Sequence, residues 1–164
     1  MGKLLRSALM ACAIAWALPS AAQDAVFIIR HAQKADDSND PPLTELGREQ
    51  AAGWARMLEE AGLDAIYTSD AKRTRETGGI ISNALGVPRH EVVKDDVAGL
   101  VQHLADEHPD GVVLVVSHAE TIPSVILELG VFDLVHVDNA DFTSLFLITG
   151  LGAQDPRVLH LKLP

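Results

Sequence analysis

Val26-Phe27-Ile28-Ile29-Arg30-His31 is the stretch whose reading decides the fold. Four apolar residues, rich in β-branched and aromatic types, run directly into an arginine and a histidine. A short apolar run of this kind predicts a strand buried on both faces of a sheet. Val112-Val113-Leu114-Val115-Val116-Ser117-His118 repeats the arrangement far along the chain. In open α/β sheets ligands lie beyond the carboxyl ends of the strands. Two buried strands that each deliver a histidine at that end therefore predict one crevice holding both.

Between and after these strands, apolar periodicity alternates between two types. Leu46, Gln50, Trp54, Met57, Leu58 and Ala61 recur at helical spacing behind Thr44, a good N-cap residue, and Gly62 closes the segment. Trp54 and Met57 are expected in the core, whereas Arg48 and Arg75 are expected on helix surfaces. Leu63 to Thr68 predicts a short strand leaving through Ser69 and Asp70, and about Ala71 to Leu85 a helix closed by Gly86. Glu91 to Lys94 predicts an edge strand, Asp96 to Glu107 a helix, and Thr121 to Leu129 another. Phe142 to Thr149 and Arg157 to Leu163 predict two late strands joined as an antiparallel hairpin. The expected fold is therefore α/β: a three-layer α/β/α sandwich whose sheet is mostly parallel with an antiparallel edge.

The 164 residues, 48% hydrophobic and 22% charged, suit one domain. Residues 1–22 read differently. Lys3 and Arg6 precede an uncharged apolar run from Ser7 to Leu18, followed by Pro19, Ser20, Ala21 and Ala22. That order predicts an export signal, with residues 23–164 as a single domain in the periplasm or outside the cell. The run is too short to span a membrane, so no membrane association is expected after cleavage. Cys12, the only cysteine, lies within the signal, so neither disulfides nor thiol chemistry is expected of the mature chain.

With 13 basic against 23 acidic residues the net charge is −10, which argues against nucleic acid as a partner. Basic residues nevertheless concentrate between positions 30 and 75, as expected of a local site for a small anion. Three strand exits face the expected crevice: Arg30-His31, Ser69 with Arg73 one turn later, and Ser117-His118. Guanidinium groups grip phosphate oxygens bidentately at any working pH. A neutral imidazole can attack phosphorus and carry the phosphoryl group covalently. No metal or other cofactor is expected, since arginines supply the positive charge and would repel a cation. His90, His103, His108, His136 and His160 show no paired spacing and are expected on surfaces or helices.

These residues resemble a known family. Arg30-His31-Ala32 resembles the RHG signature of the histidine phosphatase superfamily, whose fold is phosphoglycerate mutase-like. Pro42-Leu43-Thr44-Glu45-Leu46-Gly47-Arg48 resembles the segment opening that family's first helix. Tyr67 to Thr77 is similar to its second phosphate-binding segment, and Ser117-His118-Ala119 to its late SHG-type motif. Ala32 and Ala119 depart from the usual glycines. The resemblance implies His31 as the phosphorylated nucleophile, with Arg30, Arg73 and His118 completing the phosphate pocket. It implies a proton donor too. His118-Ala119-Glu120 matches an HAE pattern and nominates Glu120, while a mid-chain donor would be Asp95 or Asp96. Lys34 is either a cation at the substrate entrance or a solvated loop lysine. The implied activity is hydrolysis of a small-molecule phosphomonoester. A mutase, a protein phosphohistidine phosphatase and a non-catalytic binder of phosphorylated envelope sugars are the alternatives, and oligomeric state is not legible.

Overall fold

The computed structural model describes residues 25–151 and 155–163. The expected export signal, residues 1–22, lies outside them. Its elements are β1 (Ala25–Arg30), α1 (Glu45–Met57), β2 (Ala65–Ser69), α2 (Lys72–Leu85), β3 (Arg89–Val92), α3 (Val97–Glu107), β4 (Val112–Ser117), α4 (Ile122–Glu128), β5 (Ser144–Thr149) and β6 (Arg157–Lys162).

The six strands form one sheet in the order β3-β2-β4-β1-β5-β6. β1 and β4 are parallel neighbours, as are β4 and β2, and β2 and β3. β5 runs antiparallel to β1, and β6 antiparallel to β5. This is the expected mostly parallel sheet with an antiparallel edge.

Side chains of the strands alternate between two cores, as the period of two in a strand demands. Val26, Ile28, Val113, Val115, Phe146 and Ile148 point to one face and pack with Leu100 and Leu104 of α3 and Ile122, Val125 and Ile126 of α4. Ile29, Ile66, Leu114, Val116 and Leu145 point to the other, against Trp54 and Ala55 of α1, Leu58 just beyond it, and Ile81 of α2. Burying each such aliphatic side chain is worth about 1.5–3 kcal/mol. Helices on both faces make the three layers. Among the described residues no helix is long and apolar enough to cross a membrane.

Several boundaries follow from side-chain caps. Thr44 accepts a hydrogen bond from the Gly47 N–H (2.8 Å) and starts α1. Asp96 accepts from the Gly99 N–H (2.9 Å) and starts α3. Gly86, at φ +70°, turns the chain out of α2. Two expectations change. Met57 is 43% exposed rather than in the core. The buried stripe of α1 runs through Gly47, Ala51, Trp54 and Ala55, and at roughly 100° per residue Met57 falls well to one side of it. The third strand is Arg89–Val92 rather than Glu91–Lys94, because pairing with β2 sets Ile66 opposite Arg89. The Asp70 carboxylate then takes the Lys94 N–H (3.1 Å) and ends the ladder.

Gly47 shows how tightly α1 is seated. A Cβ there would run into the Gln33 carbonyl oxygen, which already accepts the Thr44 N–H at 2.9 Å. Gly47→Ala is expected to destabilise the chain by about 1–3 kcal/mol, read as a lower urea midpoint with an unchanged slope.

Candidate active site

The register of β1 and β4 builds the centre of the site. Arg30 pairs with Ser117, and the His31 N–H donates to the Ser117 carbonyl (2.9 Å). The next residue on each strand is a histidine, and the two rings lie 5.3 Å apart, edge to face. After β1 the chain turns to the α1 face and after β4 to the α4 face, which opens the crevice between them. β2 flanks β4 on its other side, so Ser69 and Arg73 enter from the opposite wall. Arg30, His31, Arg73 and His118 thus converge, as their positions at three strand exits predict.

Hydrogen bonds determine the tautomer of each ring. His31 Nδ1 lies 2.9 Å from the Ala32 carbonyl oxygen. A carbonyl only accepts, so Nδ1 carries the proton and Nε2 presents a lone pair. The Ala32 N–H donates to Thr77 Oγ1 (3.0 Å), whose hydroxyl donates to the Arg73 carbonyl (2.7 Å). Those two bonds tie the loop behind His31 to α2. His118 is arranged the other way round. Its Nδ1 lies 3.1 Å from Arg73 Nη2, which can only donate, so Nδ1 is the acceptor. Nε2 therefore carries the proton and donates it to Ser69 Oγ (2.9 Å).

Both rings are buried, His31 at 3% and His118 at 0% exposure. Burial, reinforced by the positive charges of Arg30 and Arg73, lowers His31 from 6.5 to about 3, against the opposing pull of the Ala32 carbonyl. Burial and then Arg73 lower His118 to about 4, with Glu120 opposing. The site therefore combines fixed cations with neutral imidazoles. A dianion placed there would meet two guanidinium groups and one imidazole lone pair.

Arg30 is held from behind. Its Nη1 donates to the carbonyls of Asn139 (2.6 Å), Asp141 (3.3 Å) and Asp138 (3.4 Å), and its guanidinium carbon lies 4.1 Å from the centre of the Phe142 ring. Phe142 is also 6.0 Å from the His31 ring. Sequence reasoning missed this loop. Phe142 reads as the start of a strand, and no local pattern connects it to a residue more than a hundred positions earlier.

Glu120 stands beside the pocket, its carboxylate 2.9 Å from Lys94 Nζ. Burial pushes its pKa up, but its own backbone N–H, the Lys94 hydrogen bond and the nearby positive charges prevail and hold it at about 2. Asp96 is engaged in capping α3, and Asp95 is exposed. Lys34 pairs with Asp37 (2.7 Å) on the exposed loop. Arg48 bonds Glu45 and Arg75 faces Glu91, as helix-surface residues do. His90 and His108 acquire a partnership invisible in their spacing: they pack on Tyr67 with ring centres 5.1 and 5.8 Å away.

These features define a phosphoglycerate mutase-like α/β fold with two arginines and two buried histidines gathered at its central strand ends. A family model of the histidine phosphatase superfamily (branch 1) matches residues 26–96. That match spans somewhat under half of the chain and makes this segment similar to the histidine phosphatase superfamily. The chain is 35% identical over 69 residues to the probable phosphoglycerate mutase GpmB of Yersinia pestis (strain Pestoides F), covering 38% of this chain and 32% of that protein. It is likewise 35% identical over 77 residues to the GpmB of Serratia proteamaculans (strain 568), covering 43% and 34%. The match thus spans about a third of the length of these curated relatives. Among solved structures, the protein histidine phosphatase SixA complexed with tungstate superposes with a TM-score of 0.67 at 21% identity, over 84% of this chain and 96% of that one. A mycobacterial glucosyl-3-phosphoglycerate phosphatase complexed with VO3 gives 0.68 at 18% identity, over 86% and 100%. These structural likenesses establish the common fold.

The two buried neutral histidines make stability depend on pH in a defined direction. Their folded pKa values, about 3 and 4, lie below the ordinary 6.5. No contribution arises above 6.5. Below it the unfolded chain takes up protons that the folded chain refuses, so stability falls on acidification. Each histidine is expected to remove up to about 1.4 kcal/mol per pH unit between 6.5 and its folded value. Urea unfolding at pH 7.5 and pH 5 should show this loss, and a His31→Asn/His118→Asn double variant should lose most of the dependence.

Proposed function

We propose that this chain is a phosphomonoester hydrolase that works through a phosphohistidine on His31. The observation that carries the reading is the tautomer of His31: with Nδ1–H given to the Ala32 carbonyl, the Nε2 lone pair is neutral and available beside two arginines. Arg30 and Arg73 hold the phosphoryl oxygens, and His118, bonded to Arg73 Nη2 and to Ser69, holds the Arg73 guanidinium in the pocket. The Nε2–phosphorus bond forms as the ester P–O bond breaks, and the departing oxygen takes a proton. Water then attacks phosphorus, the P–N bond breaks, and His31 is restored with inorganic phosphate released. The guanidinium groups neutralise the charge that develops on the phosphoryl oxygens, so the cycle needs no metal.

Glu120 is our candidate for the proton donor, and its ion pair with Lys94 sets the condition under which it can act. At pH 7 the carboxylate is ionised and first has to gain a proton, which the arriving phosphate dianion promotes by raising its pKa. A leaving group that needs little protonation is therefore the best match to this pocket. That favours aryl phosphates, and it gives a second reading, a phosphohistidine substrate, a specific reason. The resemblance in fold to the protein histidine phosphatase SixA agrees with that reading. The basic, apolar and small-residue order of Met1 to Ala22 supports export, which directs either activity to substrates outside the cytoplasm.

His31→Ala is expected to reduce hydrolysis of p-nitrophenyl phosphate at least about a thousandfold, while a chelator leaves the unsubstituted chain active. Quenching a reaction with labelled substrate should trap acid-labile phosphate on His31. Normal turnover in His31→Ala would overturn the mechanism. Glu120→Gln should slow an alkyl phosphate far more than p-nitrophenyl phosphate; equal losses on both would remove Glu120 from the donor role.

A further inference from the structure

The loop that leads into β5 is built around one acid that the site chemistry above does not use. Asp138 Oδ1 accepts the Ala140 N–H (2.8 Å), and Asp141 Oδ1 accepts the Thr143 N–H (2.8 Å), making two successive turns closed by aspartate side chains. The turns aim the carbonyls of residues 138, 139 and 141 at one nitrogen of Arg30. The Asp141 carboxylate faces the other way. It takes the Thr143 hydroxyl (2.9 Å), the Ser144 hydroxyl (2.7 Å) and Lys162 Nζ (2.9 Å). Ser144 spends its only proton on Asp141, so its oxygen accepts from His160 Nε2 at 2.7 Å.

We propose that Asp141 is a positioning residue for Arg30: its main chain helps to clamp the guanidinium, while Thr143, Ser144 and Lys162 keep its negative charge away from the phosphate pocket. The proposal rests on the phosphate-binding role assigned to Arg30 above. Its logic is electrostatic. A carboxylate on Arg30 would orient the guanidinium equally well but would cancel the charge a dianion needs. Three carbonyl dipoles orient it and leave that charge in place. They also occupy Nη1 alone. Arg30 Nε is buried with no partner among the described residues, an arrangement that is unfavourable until an acceptor arrives. Nε and Nη2 are thus the pair left for a bidentate grip on phosphate oxygens. The hydrogen bonds from Ser144, Lys162 and Thr143 outweigh burial and hold the Asp141 carboxyl well below the usual carboxylate range, so it stays charged and has to be kept turned away.

Two measurements test this: the side-chain Nε–H resonance of Arg30, assigned by its loss in Arg30→Lys, and calorimetric binding of inorganic phosphate. Asp141→Ala should broaden the Arg30 signal through faster guanidinium rotation, weaken phosphate binding at least about tenfold and raise KM more than it lowers kcat. Asp141→Asn, whose amide oxygen still accepts the Thr143 N–H, should restore binding to within about threefold. Should Asp141→Ala fail to fold, Ser144→Ala removes one donor to the carboxylate and should weaken binding about threefold with the same change in the Arg30 signal. A folded Asp141→Ala chain with an unaltered Arg30 signal and unaltered phosphate affinity would overturn the proposal. If the unsubstituted chain binds no phosphate, yet Asp141→Ala still loosens Arg30, the positioning role stands and the phosphomonoester reading falls.

Discussion

The site depends on one register: β1 beside β4, parallel, with Arg30 opposite Ser117 and the His31 N–H on the Ser117 carbonyl. A slip by one residue would send each strand's apolar set to the opposite core and move the two histidines out of reach of each other. The alternation that buries Val26 and Ile28 on one face and Ile29 on the other is therefore also what holds His31 and His118 5.3 Å apart. The core and the chemistry are specified by the same pairing.

Around that pair the protein solves an electrostatic problem. It gathers two arginines in an acidic chain and still keeps the imidazoles of His31 and His118 neutral. Burial does both. It makes protonation of His31 and His118 costly, while the arginines, whose charge is far harder to remove, remain cations. The polar atoms that orient these groups are mostly uncharged: the Ala32 carbonyl for His31, the Ser69 hydroxyl for His118, and three loop carbonyls for Arg30. Neutral orienters fix geometry without discharging the pocket. Glu120, a carboxylate beside it, is paired with Lys94 instead.

Much of this was legible in the chain. The strand-exit residues Arg30, His31, Ser117 and His118 are marked by the apolar runs before them. Arg73 is placed by the short strand that ends at Ser69. Thr44, Gly86 and Asp96 mark helix ends through local hydrogen bonds and backbone preferences, so their positions could be read directly. Met57 could not. It lies within an apolar pattern, and only the packing of Trp54, Ala55 and Leu58 shows which side of the helix is buried. Thr77, Phe142 and the carbonyls of residues 138, 139 and 141 left no local trace, because each acts on a residue far away in the chain.

The amino-acid sequence by itself therefore determined the layered α/β architecture, the strands that meet at the crevice and the four residues gathered there. Hydrophobic period and strand termini are local properties that survive without a folded context. Tertiary structure decided the protonation of those residues and their orientation. The tautomers of His31 and His118, the ion pair on Glu120 and the clamp on Arg30 each depend on partners brought close only by folding. Burial, which removes water and strengthens every remaining charge and dipole, has no value until the chain has packed.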